Sequence, residues 1–177
     1  MENYIGVKEV KATPMSKELA IVSGYKTGDS NEKEGYEVEY EGGYKSWSPK
    51  DVFEAAYRKT SGLTFGLAIE AMKKGKLVAR EGWNGKGMFI FIRPSDELPI
   101  EMIVEKVKSL PESVKHFFKE KYNGDYIKSS DSEPFTAKFG AYICMKTPND
   151  EIVNGWLASQ TDILAEDWMI IESCFSH

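Results

Sequence analysis

The sequence predicts an α+β protein: a small antiparallel sheet with helices packed on one side, preceded by a small α+β unit and carrying a helical insert. Three observations lead there. From residue 63 onward the pattern runs helix, two strands, a helical stretch, two strands, a short helix and a strand, an order that closes into an antiparallel sheet. Between residues 36 and 57 an alternating hairpin runs straight into a helix start. Residues 94–138 interrupt the strands with two helical stretches. These divide the chain into residues 1–62, an N-terminal unit, and residues 63–177, a second domain with its insert at 94–138. Either piece is near the size at which burial becomes marginal, so self-association is expected.

Taken in order, Tyr4 to Ala12 alternates well enough for a strand over Val7–Ala12, which Pro14 ends. Ser16–Val22 reads as a short helix. Lys26–Gly35 is polar and glycine-containing, a loop. Tyr36–Tyr40 alternates cleanly, Glu41-Gly42-Gly43 is a hairpin turn, and Tyr44–Trp47 returns. Ser48-Pro49-Lys50-Asp51 has the form of a capped helix start, with Ser48 as N-cap, Pro49 at the first helical position and Asp51 completing a capping box. Val52, Phe53, Ala56 and Tyr57 then share a face. The aromatics of this region read more readily as the core of a small unit than as a stacking surface.

Thr60–Gly62 reads as a linker. Thr64 caps a helix over Phe65–Lys74 with Phe65, Ala68, Ile69 and Met72 as its stripe, and Gly75 ends it. Lys76–Arg80 is a strand, Glu81–Gly87 a glycine-rich turn and Met88–Arg93 the returning strand. In the insert, helices are expected over Pro99–Lys108 and Pro111–Tyr122, the second with Val114, Phe117, Phe118 and Tyr122 inward and Asn123-Gly124 closing it. Ser129–Pro134 has loop composition. Ala141–Lys146 and Ile152-Val153 are strands around a Pro148–Asp150 turn, Ser159–Ala165 is a short helix, and Trp168–Glu172 is the last strand.

A net charge of -5 argues against a duplex nucleic-acid binder, which needs a basic face. The start, Met1-Glu2-Asn3-Tyr4, is not a signal peptide, and the longest apolar run, Met88–Ile92, cannot span a bilayer. Cys144 and Cys174 read as reduced thiols of a cytosolic protein. His116 and His177 stand in no ligand motif, so no metal site is expected. No nucleophile–histidine set is readable, and no cofactor is implied.

Chemistry concentrates in two stretches. Arg80 to Met88 (REGWNGKGM) offers a flat ring in Trp83, an amide in Asn84, a cation in Lys86 and three glycines. A nucleotide could stack on the ring, meet the amide with a base edge or ribose hydroxyl, and meet the cation with phosphate. It is neither a Walker loop nor a dinucleotide fingerprint. It could equally be a long hairpin turn whose tryptophan covers the sheet edge. Val153 to Glu172 packs Trp156, Trp168 and the run Ser159-Gln160-Thr161-Asp162 into twenty residues. Ser159 with Asp162 has capping-box spacing, which leaves Gln160 and Thr161 unexplained. Trp156 and Trp168 have a plain reading as core or interface.

At these residues the sequence resembles a known family. Leu63–Arg93 (LTFGLAIEAMKKGKLVAREGWNGKGMFIFIR) and Phe139–Glu172 (FGAYICMKTPNDEIVNGWLASQTDILAEDWMIIE) are similar to the phage Thoeris anti-defence sponges of the second type. The GWNGKGM and GWLASQTD motifs are long and specific. GYEVEY, GGYKSWSPKDVFEAAYR within residues 3–60 resembles a small phage domain found in other contexts. The resemblance implies a protein that binds and sequesters cyclic ADP-ribose derivatives made by TIR-domain proteins, in the cytoplasm of the infected host, without degrading them. It implies a homotetramer with ligand pockets between subunits and, in some members, a separate site for cyclic dinucleotides. Carried onto this chain, Trp83 stacks on adenine, and Asn84 and Asp162 read ribose or base edges. Arg80, Lys86 and the Ser159-Gln160 backbone are candidates for the pyrophosphate, with Met88, Trp156 and Thr161 completing the candidate set. Competing readings are an enzyme that hydrolyses the same signal and a phage structural or interaction module.

Overall fold

A computed structural model describes residue 2, residues 6–122 and residues 135–171, with Asn84 described in its backbone only. The strand pairings described below are antiparallel, and helices and strands are mixed along the chain as in an α+β protein. Two compact units result, Met1–Gly82 with Ser159–His177, and Trp83–Ala158.

The first unit opens with β1 (Lys11–Ser16), α1 (Lys17–Val22), β2 (Glu34–Glu39), β3 (Lys45–Pro49) and α2 (Lys50–Ala56), with β2 central between β1 and β3. The first strand lies later than the expected Val7–Ala12, and Pro14 does not end it. Pro14 sits within β1 opposite Tyr36. An edge strand tolerates a missing N–H on its outer side, which is why proline survives there. Tyr4 and Ile5 lie outside the described residues. Ser16 caps α1, its hydroxyl accepting from the Leu19 N–H at 3.2 Å. Gly42 and Gly43 both take positive φ in the hairpin turn, a geometry that favours glycine. The capping box expected from Ser48 and Asp51 does not form. Ser48 stays in β3 opposite Tyr36, and Pro49 takes the N-cap position of α2 without a side-chain bond.

Register sorts the aromatics of this sheet onto two faces. Trp47 stands opposite Glu37 on one face, and its ring extends over Gly35. A Cβ on Gly35 would come within 2.5 Å of that ring and 2.3 Å of the Ser48 carbonyl oxygen. The Trp47 indole N–H then donates to the Met15 carbonyl at 3.0 Å, tying β3 to β1 across β2. On the other face Tyr36 stacks on Phe53 and Phe53 on Tyr57, with centroids 4.4 and 4.8 Å apart, and Val38 is fully buried. Of these rings Trp47 is buried, Tyr36, Tyr40, Phe53 and Tyr57 are half-buried, and Tyr44 is exposed.

The chain continues into α3 (Phe65–Lys73), β4 (Leu77–Arg80) and α4 (Glu81–Asn84). Thr64 caps α3, and Gly75, at φ 81°, follows its end. Ala68, Ala71 and Met72 are its buried residues. The expected glycine-rich turn after β4 begins instead with the helical turn of α4.

The second unit holds β5 (Phe89–Arg93), β6 (Asp96–Pro99), α5 (Ile100–Glu105), α6 (Glu112–Lys121), β7 (Thr136–Phe139), β8 (Tyr142–Lys146) and β9 (Ile152–Asn154). β8 pairs with β5 on one side and β9 on the other. The two helices of the insert are present, and a β6–β7 ribbon that the sequence did not signal accompanies them. Ile100, Ile103 and Val104 form its core with Phe118, Tyr122 and Phe135 against them. Phe117, expected inward, is exposed. Asn123-Gly124 and Ser129–Pro134 lie outside the described residues. Cys144 is a buried free thiol, while Cys174 lies outside the described residues.

The chain returns to the first unit with α7 (Gln160–Ile163) and β10 (Trp168–Ile171). β10 pairs with β4, setting Trp168 opposite Arg80. Its other side is not left bare. Leu63 exchanges two backbone bonds with Trp168, at 2.7 and 3.2 Å, and the Ile170 N–H donates to the Thr60 carbonyl at 2.9 Å. The segment expected to be a linker is therefore a strap along this edge. Among the described residues no helix is long and apolar enough to cross a membrane.

Candidate ligand site

The candidate residues fall into two groups, one in each unit. In the first unit they form a closed polar cluster. Arg80 ends β4 and meets Asp167 through two bonds, Nε to Oδ1 at 2.8 Å and Nη2 to Oδ2 at 3.1 Å. Its Nη1 donates to Asp162 Oδ1 at 3.1 Å. The other oxygen of Asp162 accepts from the Ser159 N–H at 3.0 Å and the Ser159 hydroxyl at 2.6 Å. The Asp162 N–H returns a bond to that hydroxyl, completing the capping box of α7. Below it, the Trp168 indole N–H donates to the Asp162 carbonyl at 2.9 Å. Trp168 is fully buried with Phe65 against its ring, so it is core, as the plain reading had it.

The electrostatics follow from this wiring. The Asp167 hydrogen bonds raise the Arg80 pKa above its ordinary value, outweighing the partial burial that opposes its charge. Burial pushes the Asp162 carboxyl up, but the Ser159 hydroxyl, the Ser159 N–H and Arg80 together hold it below the usual carboxylate range. One cation and two carboxylates leave this cluster with a formal excess of negative charge, poor ground for a phosphate. Gln160 and Thr161 are exposed and stand outside the cluster.

In the second unit the group is open. Trp83 and Trp156 meet edge to face with centroids 5.8 Å apart, a favoured geometry for aromatic pairs. Trp156 is fixed from the sheet, its N–H donating to the Ile143 carbonyl at 2.8 Å. It follows Gly155, which turns the chain at φ 75°. Both rings remain partly accessible. The Lys86 N–H bonds to the Trp83 carbonyl at 2.9 Å, and the Lys86 side chain is exposed. Gly87, at φ 63°, carries the chain to the half-buried Met88. Beside Gly87 lies Lys146, whose ammonium would sit 3.5 Å from a Cβ placed there and pairs with Asp150 at 2.6 Å. Sequence reasoning named neither Asp167 nor Lys146 as a site residue. Asp167 lies 87 positions from Arg80, and no local spacing links them.

Among the described residues no group of three or more His, Cys, Asp or Glu side chains is placed to hold a metal ion. Two surface depressions among the described residues lie elsewhere, along α6 and beside Tyr40.

Both stretches carrying these residues lie within a matched family. The chain matches the Tad2-like family, the Thoeris anti-defense 2-like domain, over residues 63–171. It is also similar to "Thoeris anti-defense 2" of Bacillus phage SP01, with 38% identity over 109 residues that cover 62% of this chain and 94% of that protein. Residues 1–62 form an extra N-terminal region before the match. With more than half of its length in the match, this protein belongs to the Thoeris anti-defense 2-like family.

Proposed function

We propose that this protein binds a cyclic ADP-ribose-type signal made by TIR-domain proteins of Thoeris defence, and holds it intact so that the signal cannot reach its effector. The observation that carries the reading is the open group of Trp83, Trp156 and Lys86, set at a glycine-containing loop within the family-matching range. Two accessible aromatic rings suit a purine, and an exposed ammonium suits its pyrophosphate. Trp83 stacks on adenine in this reading, and Asn84 reads a ribose or base edge. Met88 supports the loop. Arg80, Ser159 and Asp162 hold the turn that presents Gln160 and Thr161, in place of a direct pyrophosphate contact for Arg80. The protein acts as a binder, not an enzyme, in the cytoplasm of the infected host. Residues 63–177 carry the binding, and residues 1–62 are an appended unit.

In this reading a second copy completes the pocket, as in a homotetramer. A separate site for cyclic dinucleotides belongs to the same proposal. Sequestration demands tight binding, since free ligand falls only when sites exceed both ligand and Kd.

The test is calorimetric titration with a TIR-derived cyclic ADP-ribose isomer, then heat denaturation of the complex and chromatography of the released nucleotide. Tight binding with the ligand recovered unchanged is expected. Recovery of a hydrolysed product would make the protein an enzyme, and absence of binding would leave an interaction module. Titration with cyclic dinucleotides, alone and after saturation with the first ligand, tests the second site. Light scattering gives the assembly size.

A further inference from the structure

We infer that Lys146 is a second phosphate-contacting cation of the Trp83–Met88 loop, held in reserve by Asp150, which a bound pyrophosphate displaces. The inference rests on the binding proposed above.

Lys146 ends β8, opposite Phe89 of β5 and Ile152 of β9. That register fixes its backbone from both sides, so its side chain is delivered from rigid sheet. Its ammonium lies beside Gly87, where the absence of a side chain leaves the loop backbone open to it. The Lys146 side chain is only 20% exposed, whereas its partner Asp150 is 84% exposed, at 2.6 Å. The pair is asymmetric. A largely covered ammonium needs an anion, and the one it has comes from a solvent-facing turn.

Asp150, in the turn between β8 and β9, also takes positive φ, at 62°, uncommon for a residue with a side chain. A solvated carboxylate is readily exchanged for a better acceptor, because its release costs little desolvation. A pyrophosphate brings more negative charge and more acceptor oxygens than one carboxylate. Lys86 on the loop and Lys146 beside it would then bind the same group, one flexible and one fixed.

The two partners of this pair predict opposite effects, which a merely structural ion pair would not. Lys146→Met keeps the apolar stem and removes the charge. Asp150→Asn keeps the tolerance of positive φ and removes the competitor. Titrating each variant of the full chain with the TIR-derived cyclic ADP-ribose isomer should give about tenfold weaker binding for Lys146→Met, the scale of one charge-assisted hydrogen bond. Asp150→Asn should bind more tightly than the parent protein by about two- to fivefold, the scale of a weak exposed ion pair that no longer competes. Affinity should fall less steeply with salt in Lys146→Met than in the parent. Melting curves check that both variants fold. If the parent binds while Lys146→Met binds equally well, or while both variants weaken together, the inference is overturned and the binding proposal stands. If the parent binds no cyclic ADP-ribose isomer, both fall.

Discussion

Arg80 commits three of its N–H donors to two carboxylates, whereas Lys86, six residues on, presents its ammonium to solvent. The two stretches look alike as sequence, each dense in rings and polar groups. Their polar groups do opposite things. Around Asp162 nearly every donor and acceptor is answered from within, by Ser159, Arg80 and the indole of Trp168. Around Trp83 the rings stay partly accessible and the cation stays exposed. A dense motif can therefore be closed on itself, as around Asp162, or leave its cation at the surface, as at Lys86.

The comparison breaks most easily at Trp168. Trp168→Ala should cost about 3–5 kcal/mol of stability, through the cavity and the lost bond to Asp162, in a chemical denaturation curve. Arg80→Met comes next. It leaves Asp162 and Asp167 without their cation, so a loss of about 2 kcal/mol in stability is expected, the scale of charge-assisted hydrogen bonds. If its melting curve is unchanged while ligand affinity collapses, Arg80 belongs with the binding group and the division fails. Trp83→Ala should do the reverse, weakening ligand binding by about 1–2 kcal/mol in titration, the scale of one stacking contact, with little change in Tm.

The smallest effects sharpen the closed side. Ser159→Ala removes the cap of α7 and should cost about 1 kcal/mol. Asp162 adds a pH signature. Its carboxyl titrates lower in the folded chain than in the unfolded one, whose ordinary value is 3.8. The unfolded chain therefore takes up its proton first as pH falls. The stability from this carboxylate is complete well above pH 4 and is lost as pH drops through the lower folded value. Asp162→Asn should flatten that acid limb in equilibrium unfolding followed by fluorescence, and an unchanged limb would remove Asp162 from the cluster's energetics.

What could be read from the sequence follows the range of the forces involved. The Ser159–Asp162 box is a three-residue spacing and was legible. So were the cap at Thr64 and the hairpin turn at Gly42-Gly43, each decided within one turn of chain. The box at Ser48 and Asp51 had the same local form and failed, because pairing of Ser48 opposite Tyr36 outcompeted it. Pro14 misled for a related reason: its cost depends on whether the strand is an edge, which only the sheet decides. β6 and β7 are four residues each and far apart, so neither shows a period of its own. The Arg80–Asp167 bonds were beyond any spacing rule. The candidate residues were named from their motifs, but which of them are occupied by one another emerged only from the fold.

The strap from Thr60 to Leu63 has a consequence for anyone who shortens this protein. A strand with an unanswered row of N–H and C=O groups is a template for its neighbours, and natural sheets guard against that. Trimming the chain to its family-matching range would keep Leu63 but take away the Thr60 carbonyl that receives the Ile170 N–H. The shortened protein would keep its candidate residues and bare a raw margin along β10. It should be prone to clump in concentrated solution, so a precipitate from such a fragment would speak about the missing cover and not about the site.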